Sequence, residues 1–515
     1  MFGGLFMKNI DPSVNNKLSP KSKTDEVFII SLIITFAIVL WGILAQENFA
    51  NMSNNLFAFL TENFGWAYLS SMLVFIIFAI VVAFSKYGSI KLGPEDSKPD
   101  YSTTAWFAML FGAGMGIGLV FWGIGEPLSH FVSPPSGIEA GSIEAANFAM
   151  KSSLMHWGFH PWANYSIIGL ALAYFQFRKG KPGLISSIFI PLLGEERING
   201  FIGKTIDILA VFATVAGVST SLGLGTLQIN SGLNYMFDIP TTNLVQLIII
   251  AFITIIFIYT AVKGIEKGIS AISNLNLIFA FGILILCFLI GPSIKMINSL
   301  TSGIGAYIGN FIQDSLHLET FGDNSWINGW TIFYWAWWIA WAPFVGIFIA
   351  RISRGRTIRE FILGVIVAPT IASLVWFSIF GTLGINLGIT GKISLDKLRE
   401  IAAVPETAYF AIIQNYPLGI VIAVITIVLL CTFFITSANS ATFVLGMLTS
   451  KGDLNPSNIK KILWGIVQSL LAVALLLSGG LKSLQTASVV AAFPFILVML
   501  LACISLWKAF REEKI

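Results

Sequence analysis

Charge is scarce in this chain. Only 11% of its 515 residues are Asp, Glu, Lys or Arg, where a soluble globular protein carries about 25%. That scarcity excludes an ordinary water-soluble surface, and the mean hydropathy of +0.82 agrees. Cysteine is nearly absent: Cys287, Cys431 and Cys503 each sit within an apolar run. No pair has metal-ligand spacing, so they read as small buried hydrophobes and a disulfide framework is excluded. Period-2 alternation is missing, which excludes a membrane β-barrel. The first apolar run follows a polar tail at 1–26 and lacks a small-residue cleavage site. It reads as a retained helix and not as a signal peptide.

What is present is apolar sequence in runs of roughly 18 residues or more, enough to cross a ~30 Å hydrocarbon core as helix. Twelve spans are expected. The first six lie near 27–44, 67–84, 105–122, 150–174, 206–235 and 244–261. The second six lie near 271–290, 332–352, 363–380, 418–446, 462–477 and 489–506. The expected class is an all-α polytopic membrane protein that moves a solute, not an enzyme. An even number of spans puts both termini on one side. The loops, tails and span ends on that side hold 24 of the 30 Lys and Arg residues, so the termini are expected in the cytoplasm.

Glycine and proline interrupt two spans. The third carries Gly112, Gly114, Gly116 and Gly118 within GAGMGIGLVFWGIGEP, and the eighth carries WAWWIAWAPFVG with Pro343. Breaks at membrane depth survive only where protein or a cavity takes up the freed backbone groups. These two spans open corresponding five-helix halves, the pattern of an inverted repeat with a midplane binding site. The alternative is that the glycines only let helices pack closely.

Aromatic residues gather in the same region. Trp330, Trp335, Trp337, Trp338 and Trp341 fall in the eighth span, and HWGFHPWANY of the fourth adds Trp157, Trp162 and Tyr165. Trp338 and Trp341 are three apart, as are Trp162 and Tyr165, so each pair shares a helix face. Facing aromatics can cage a quaternary ammonium by cation–π attraction, or can simply pack a core. An anion on the same solute would need backbone N–H groups, which an opened glycine segment supplies. Glu126 and Asp207 are among the few charges at membrane depth. His156 and His160 have the i,i+4 spacing of metal ligands, but no carboxylate accompanies them within their own span. Polar contacts between helices are the expected role, with an embedded metalloenzyme as a rival reading.

GMGIG, the HW…HPW…Y string and FYWAWW…W.PFVG…ARISRGR together resemble the betaine/carnitine/choline transporters, and the likeness runs through nearly the whole chain. It is nearest to the sodium-coupled glycine-betaine importers of Gram-positive bacteria. The resemblance implies peripheral helices at 27–84, a LeuT-like five-plus-five inverted repeat at 105–290 and 332–506, and an amphipathic surface helix at 297–316 that helps form a homotrimer. A short cytoplasmic tail at 507–515 would follow. It implies an aromatic box of Trp157, Trp162, Tyr165 and Trp338, with Trp341 on the cytoplasmic route. The substrate carboxylate would meet the stretch from Ala113 through Met115 and Gly116 to Gly118. A sodium site would use Gly112, Met115, Phe433, Thr436 and Ser437, oxygen ligands that suit a hard cation. A second would use Thr214 and the Phe344 carbonyl, with Val218 where a hydroxyl is usual and Ser219 or Thr220 as stand-ins. Asn439 replaces the usual Asp.

Choline-selective members carry Asp where Gly118 stands, so Gly118 favours a zwitterion. The implied function is sodium-coupled import of glycine betaine by alternating access in a bacterial cell membrane, for osmoprotection. Sodium is the coupling ion, and neither a cofactor nor a nucleic-acid partner is expected. The rival within the class is a sodium-independent exchanger of carnitine-like compounds. It is disfavoured because the fifth span holds no basic residue.

Overall fold

The computed structural model describes residues 26–114, 116–263 and 266–513. The tail before Glu26, Met115 and Lys514 lie outside the described residues. Hydrocarbon offers backbone groups no partner, so each apolar run must close its own hydrogen bonds as helix. In chain order these are α1 (Glu26–Leu44), α2 (Gln46–Phe84), α3 (Thr103–Gly114), α4 (Ile117–Val132), α5 (Ile143–Trp157), α6 (Phe159–Ala173), α7 (Phe201–Phe237), α8 (Asn243–Lys263) and α9 (Glu266–Ile290). There follow α10 (Ser293–Gly309), α11 (Phe333–Ile352), α12 (Ile358–Ile389), α13 (Leu395–Ala402), α14 (Pro405–Ile413), α15 (Gly419–Leu448), α16 (Asn458–Gly479) and α17 (Leu481–Arg511). Among the described residues, ten helices are long and apolar enough to cross a membrane. The pair α3 and α4, bent by 62° at its break, passes the same test when taken together.

The expected span at 150–174 is not one helix. It folds as α5 and α6, which meet at Gly158. A Cβ on Gly158 would lie 2.6 Å from the Leu154 carbonyl oxygen and 2.7 Å from the Tyr307 ring, so only glycine fits. The Tyr307 hydroxyl accepts from the Phe159 N–H at 3.0 Å and satisfies a donor that the break frees.

The expected interruption at Pro343 is not there. α11 runs unbroken from Phe333 to Ile352 with Pro343 inside it. Proline removes an N–H and crowds the preceding turn, but α11 is enclosed by protein, with 94% of its central stretch buried. There α6 sends Asn164 Nδ2 to the Trp338 carbonyl at 2.8 Å, one residue before the Ile339 carbonyl that Pro343 leaves without its helical donor, and so braces that turn. The irregular turn comes earlier, as a π-helix at Asn328–Ile332. The breaks therefore fall in the third and fourth expected spans, and not in corresponding positions of two halves.

Burial sorts the helices. α11 and α7 are enclosed, while α8 is only 22% buried and α1 28% buried over their apolar stretches. The outer helices present Ile, Leu and Phe to the surroundings, as lipid contact requires. α10 overlaps the stretch expected at 297–316; it buries Met296, Gly303 and Tyr307 and exposes Ile294, Ile297 and Ile308. Beyond it, Asp314 pairs with Lys151 of α5 at 2.8 Å. The short helices α13 and α14 have no span-length apolar run to announce them; Ser394 caps α13 through the Lys397 N–H at 3.3 Å.

The C-terminal end is tied down. Beyond α17 the Glu513 carboxylate accepts from Arg178 Nε (3.0 Å) and Nη2 (2.7 Å) and from the Tyr174 hydroxyl (2.7 Å). It also pairs with Lys179 Nζ at 2.7 Å. Burial acts to raise its pKa, but the donors from Arg178, Lys179 and Tyr174 prevail and hold it at about 2. A carboxyl depressed in the folded state stabilises above its unfolded value and loses that contribution as pH falls toward the folded one. Glu513→Gln should therefore lower thermal stability at pH 7. The difference from wild type should shrink as pH drops from about 4.5 toward 2, read by melting curves of both proteins in detergent. A difference that persists at the acid end would show the tie is not ionic.

Candidate functional site

The bend between α3 and α4 is where the backbone opens. Gly116 is extended (φ −158°, ψ −176°) and caps α4, and a Cβ there would meet nothing within 4 Å. The first N–H groups of a helix lack intrahelical partners and carry the positive end of its dipole. Here they belong to Ile117 and Gly118, which with Gly116 line a cavity.

The remaining walls are aromatic. Trp157 from α5 and Trp162 and Tyr165 from α6 face Trp337, Trp338 and Trp341 from α11. The Trp157 and Trp338 rings stand 4.8 Å apart at 75°, and Trp162 and Tyr165 stand 5.4 Å apart at 81°. Tyr165 and Trp338 meet edge to face at 6.4 Å. Trp337 stacks on Trp338 at 4.8 Å, nearly parallel. Trp341 packs edge-on to Phe344 at 5.3 Å. The break at Gly158 lets Trp157 and Trp162, on separate helices, turn toward one space. Trp337 and Trp341 also bury indole N–H groups that make no hydrogen bond.

All five aromatic residues expected from the sequence thus line one cavity, with Gly116, Gly118 and Ser437. Trp337, Ser221 and Ser373 join them unannounced. Trp337 lies one residue from Trp338 and was obscured by the rule that neighbours point apart; a wide wall takes both. The serines carried a signal, being hydroxyls inside apolar spans.

The sodium candidates fall in two groups. Thr436 is buried beside Ser437 on α15, and Asn276 of α9 donates to its hydroxyl at 3.4 Å. Gly112 of α3 faces Leu277, the next residue of α9, at 4.0 Å from a notional Cβ. Gly112 and Thr436 therefore approach one stretch of α9, and Ser437 lines the cavity, with Phe433 one turn away on α15. Ala113 is in the last turn of α3, and Met115 is outside the described residues.

For the second group, Thr214 donates to the Ala210 carbonyl at 2.8 Å, and Gly217 on the same helix packs against Trp341. The stand-ins fail. Ser219 donates to the Gln468 carbonyl at 2.9 Å, and Thr220 donates to the Ala216 and Leu484 carbonyls at 2.9 Å. Both hydroxyls turn to α16 and α17, because one and two residues past Val218 lie off the face that meets α11. Asn439 donates to the Phe257 carbonyl at 3.2 Å and to the Thr260 hydroxyl at 3.0 Å, tying α15 to α8.

His156 and His160 do not share a site. His160 meets Tyr307 (3.2 Å) and Ser315 (2.8 Å), while His156 meets Thr331 at 2.9 Å. A carboxylate does reach His156, from another helix: Glu126 of α4 at 2.6 Å. Asp207 accepts from Ser186 N–H and hydroxyl at 2.9 and 2.8 Å.

Comparison with known proteins accords with this geometry. A family model described as BCCT, betaine/carnitine/choline family transporter, matches residues 26–515. The chain is 50% identical to the glycine betaine transporter OpuD of Bacillus subtilis (strain 168), over 95% of this chain and 94% of that one. It is 43% identical to an ectoine/hydroxyectoine transporter of Virgibacillus pantothenticus, over 94% and 96%. It is 41% identical to a glycine betaine transporter of Acinetobacter baylyi, over 95% of this chain and 73% of that one. With an aromatic cavity at a broken span and matches of this length, the chain belongs to the betaine/carnitine/choline family of transporters.

Proposed function

We propose that this protein imports glycine betaine into the cell by alternating access, driven by sodium. The carrying observation is one cavity that joins aromatic walls to a helix N-terminus. Trp157, Trp162, Tyr165 and Trp338 suit the trimethylammonium group by cation–π attraction. The opening N–H groups of α4 suit the carboxylate. Two of the three similar transporters named above carry glycine betaine in their names.

Sodium would bind beside the cavity through Gly112, Met115, Phe433, Thr436 and Ser437, whose hydroxyls and carbonyls match a hard cation. A second ion at Thr214 and Phe344 has less to hold it, since Ser219 and Thr220 are engaged elsewhere. We further read twelve spans as two plus five plus five, termini in the cytoplasm, and a homotrimer formed through the surface helix α10. Uptake of labelled glycine betaine into proteoliposomes tests the reading. Accumulation should require an inward sodium gradient. Equal counterflow in sodium-free vesicles would favour the exchanger instead. Competition by proline betaine, dimethylsulfoniopropionate and ectoine then defines the range.

A further inference from the structure

Behind the aromatic wall lies a fully buried polar cluster that the transport reading does not use. The Glu126 carboxylate has three nitrogen partners. Trp157 Nε1 donates to Oε2 at 2.8 Å, and Oε1 lies 2.6 Å from His156 Nδ1 and 3.3 Å from His130 Nε2. An indole is a donor only, and with each imidazole turning a protonated nitrogen to Glu126 the three contacts match an ionised carboxylate, which is an acceptor only. The second cage wall hangs on the same cluster: Trp338 Nε1 donates to the His156 carbonyl at 3.0 Å. His156 is fixed in turn by Thr331 at 2.9 Å.

A metal ion is the obvious alternative, because Glu126, His130 and His156 bring ligand atoms within 4.8 Å of one another. Tetrahedral ligands at about 2.1 Å from an ion stand about 3.4 Å apart. His156 and Glu126 at 2.6 Å are instead at hydrogen-bond spacing. A divalent ion would also place net positive charge behind the ring that faces the ammonium.

We propose that Glu126 is an anionic positioning residue for the cage. It holds Trp157 directly and Trp338 through His156, and its charge favours a cationic head group over a neutral one of equal shape. This rests on the reading of the cavity as a trimethylammonium site. A carboxylate hydrogen-bonded to an indole N–H pushes electron density into the ring, and the face toward the cavity becomes more attractive to a cation. Glu126 is buried, so its charge also acts over a distance that bulk water would screen.

Glycine betaine and 3,3-dimethylbutanoate differ by one atom, N⁺ against C, and separate charge from shape. Their binding to the purified full-length protein is measured for wild type, Glu126→Gln, Trp157→Phe and the double variant. Glutamine keeps the volume and an acceptor but not the charge. Glu126→Gln should weaken glycine betaine at least tenfold and the carbon analogue less than threefold. On the Trp157→Phe background, where the indole donor is gone, the loss from Glu126→Gln should shrink but persist, because the charge and the His156 contact remain. Equal losses for both ligands would reduce Glu126 to a structural prop and overturn the inference. So would wild-type betaine affinity in Glu126→Gln, or stoichiometric metal in the wild type that Glu126→Gln lacks. If the wild type itself binds no trimethylammonium ligand, the cavity reading fails first and takes this one with it.

Discussion

Trp338→Ala should lower glycine betaine affinity at least tenfold while Trp338→Phe retains most of it. Trp338 is the residue on which the cage converges: its ring meets Trp157 at 4.8 Å, Tyr165 at 6.4 Å and Trp337 at 4.8 Å. A desolvated cation–π contact is worth about 2 kcal/mol, and a factor of ten in affinity is about 1.4 kcal/mol. Losing one wall therefore exceeds tenfold before any relaxation of its neighbours. The substitution also opens a cavity and strands the His156 carbonyl that accepts from Trp338 Nε1. Truncating a buried Trp costs about 3–5 kcal/mol of stability, so binding is read only on protein that remains monodisperse. Trp338→Phe keeps a ring face without the hydrogen bond and separates the two effects. Calorimetric titration in saturating sodium gives the affinities. Near-wild-type binding by Trp338→Ala would reject the cage.

Much of this fold was written in hydropathy, because spans exposed to lipid must be apolar throughout and have little else to say. α1, α8 and α9 were legible for that reason. α5 and α6 were not: each is 15 residues long, and the summed run across Gly158 resembles one span. The glycine marks the break only when Tyr307 and Leu154 are known to crowd it. Pro343 misled in the opposite direction. Proline breaks an isolated helix, but α11 is wrapped by protein, and a partner such as Asn164 is invisible in the local sequence.

The site was legible where function and periodicity coincide. Trp162 with Tyr165 and Trp338 with Trp341 repeat at one helical turn, and both pairs reach the cavity. Residues that act through others were harder to find. Glu126 stands 31 positions before Trp157; apart from His130, one turn along α4, its partners His156 and Trp157 lie on α5 and are recognised only in three dimensions. Ser219 and Thr220 carried the right chemistry at the wrong angle, since a helix turns about 100° per residue and one step suffices to miss a site.

Gly118 shows how shape and charge combine at one position, and its replacement by Asp should be the most damaging change of all. A Cβ there would lie 2.6 Å from Trp337 Cη2 and 3.1 Å from Trp157 Cη2. Trp337 cannot retreat freely, because it is stacked on Trp338 at 4.8 Å and on Phe333 at 5.6 Å. Any side chain at this position therefore shifts the cage wall itself. Overpacking costs about 1–3 kcal/mol, and Asp adds a second negative charge where the substrate carboxylate is to sit. Gly118→Ala isolates the steric part and should weaken glycine betaine about tenfold, on the order of 1.4 kcal/mol. Gly118→Asp should weaken it about a hundredfold or more, since repulsion adds to overpacking. The Asp that the family resemblance associates with choline should not confer choline binding by itself. Trp337→Phe removes the distal ring atoms that block it, so the pair Gly118→Asp with Trp337→Phe should bind choline and reject glycine betaine. Titration of both ligands against the three variants decides the matter. Choline binding by Gly118→Asp alone would mean that Trp337 yields. Wild-type betaine affinity in Gly118→Ala would mean that the close approach of the two indoles does not govern the cage.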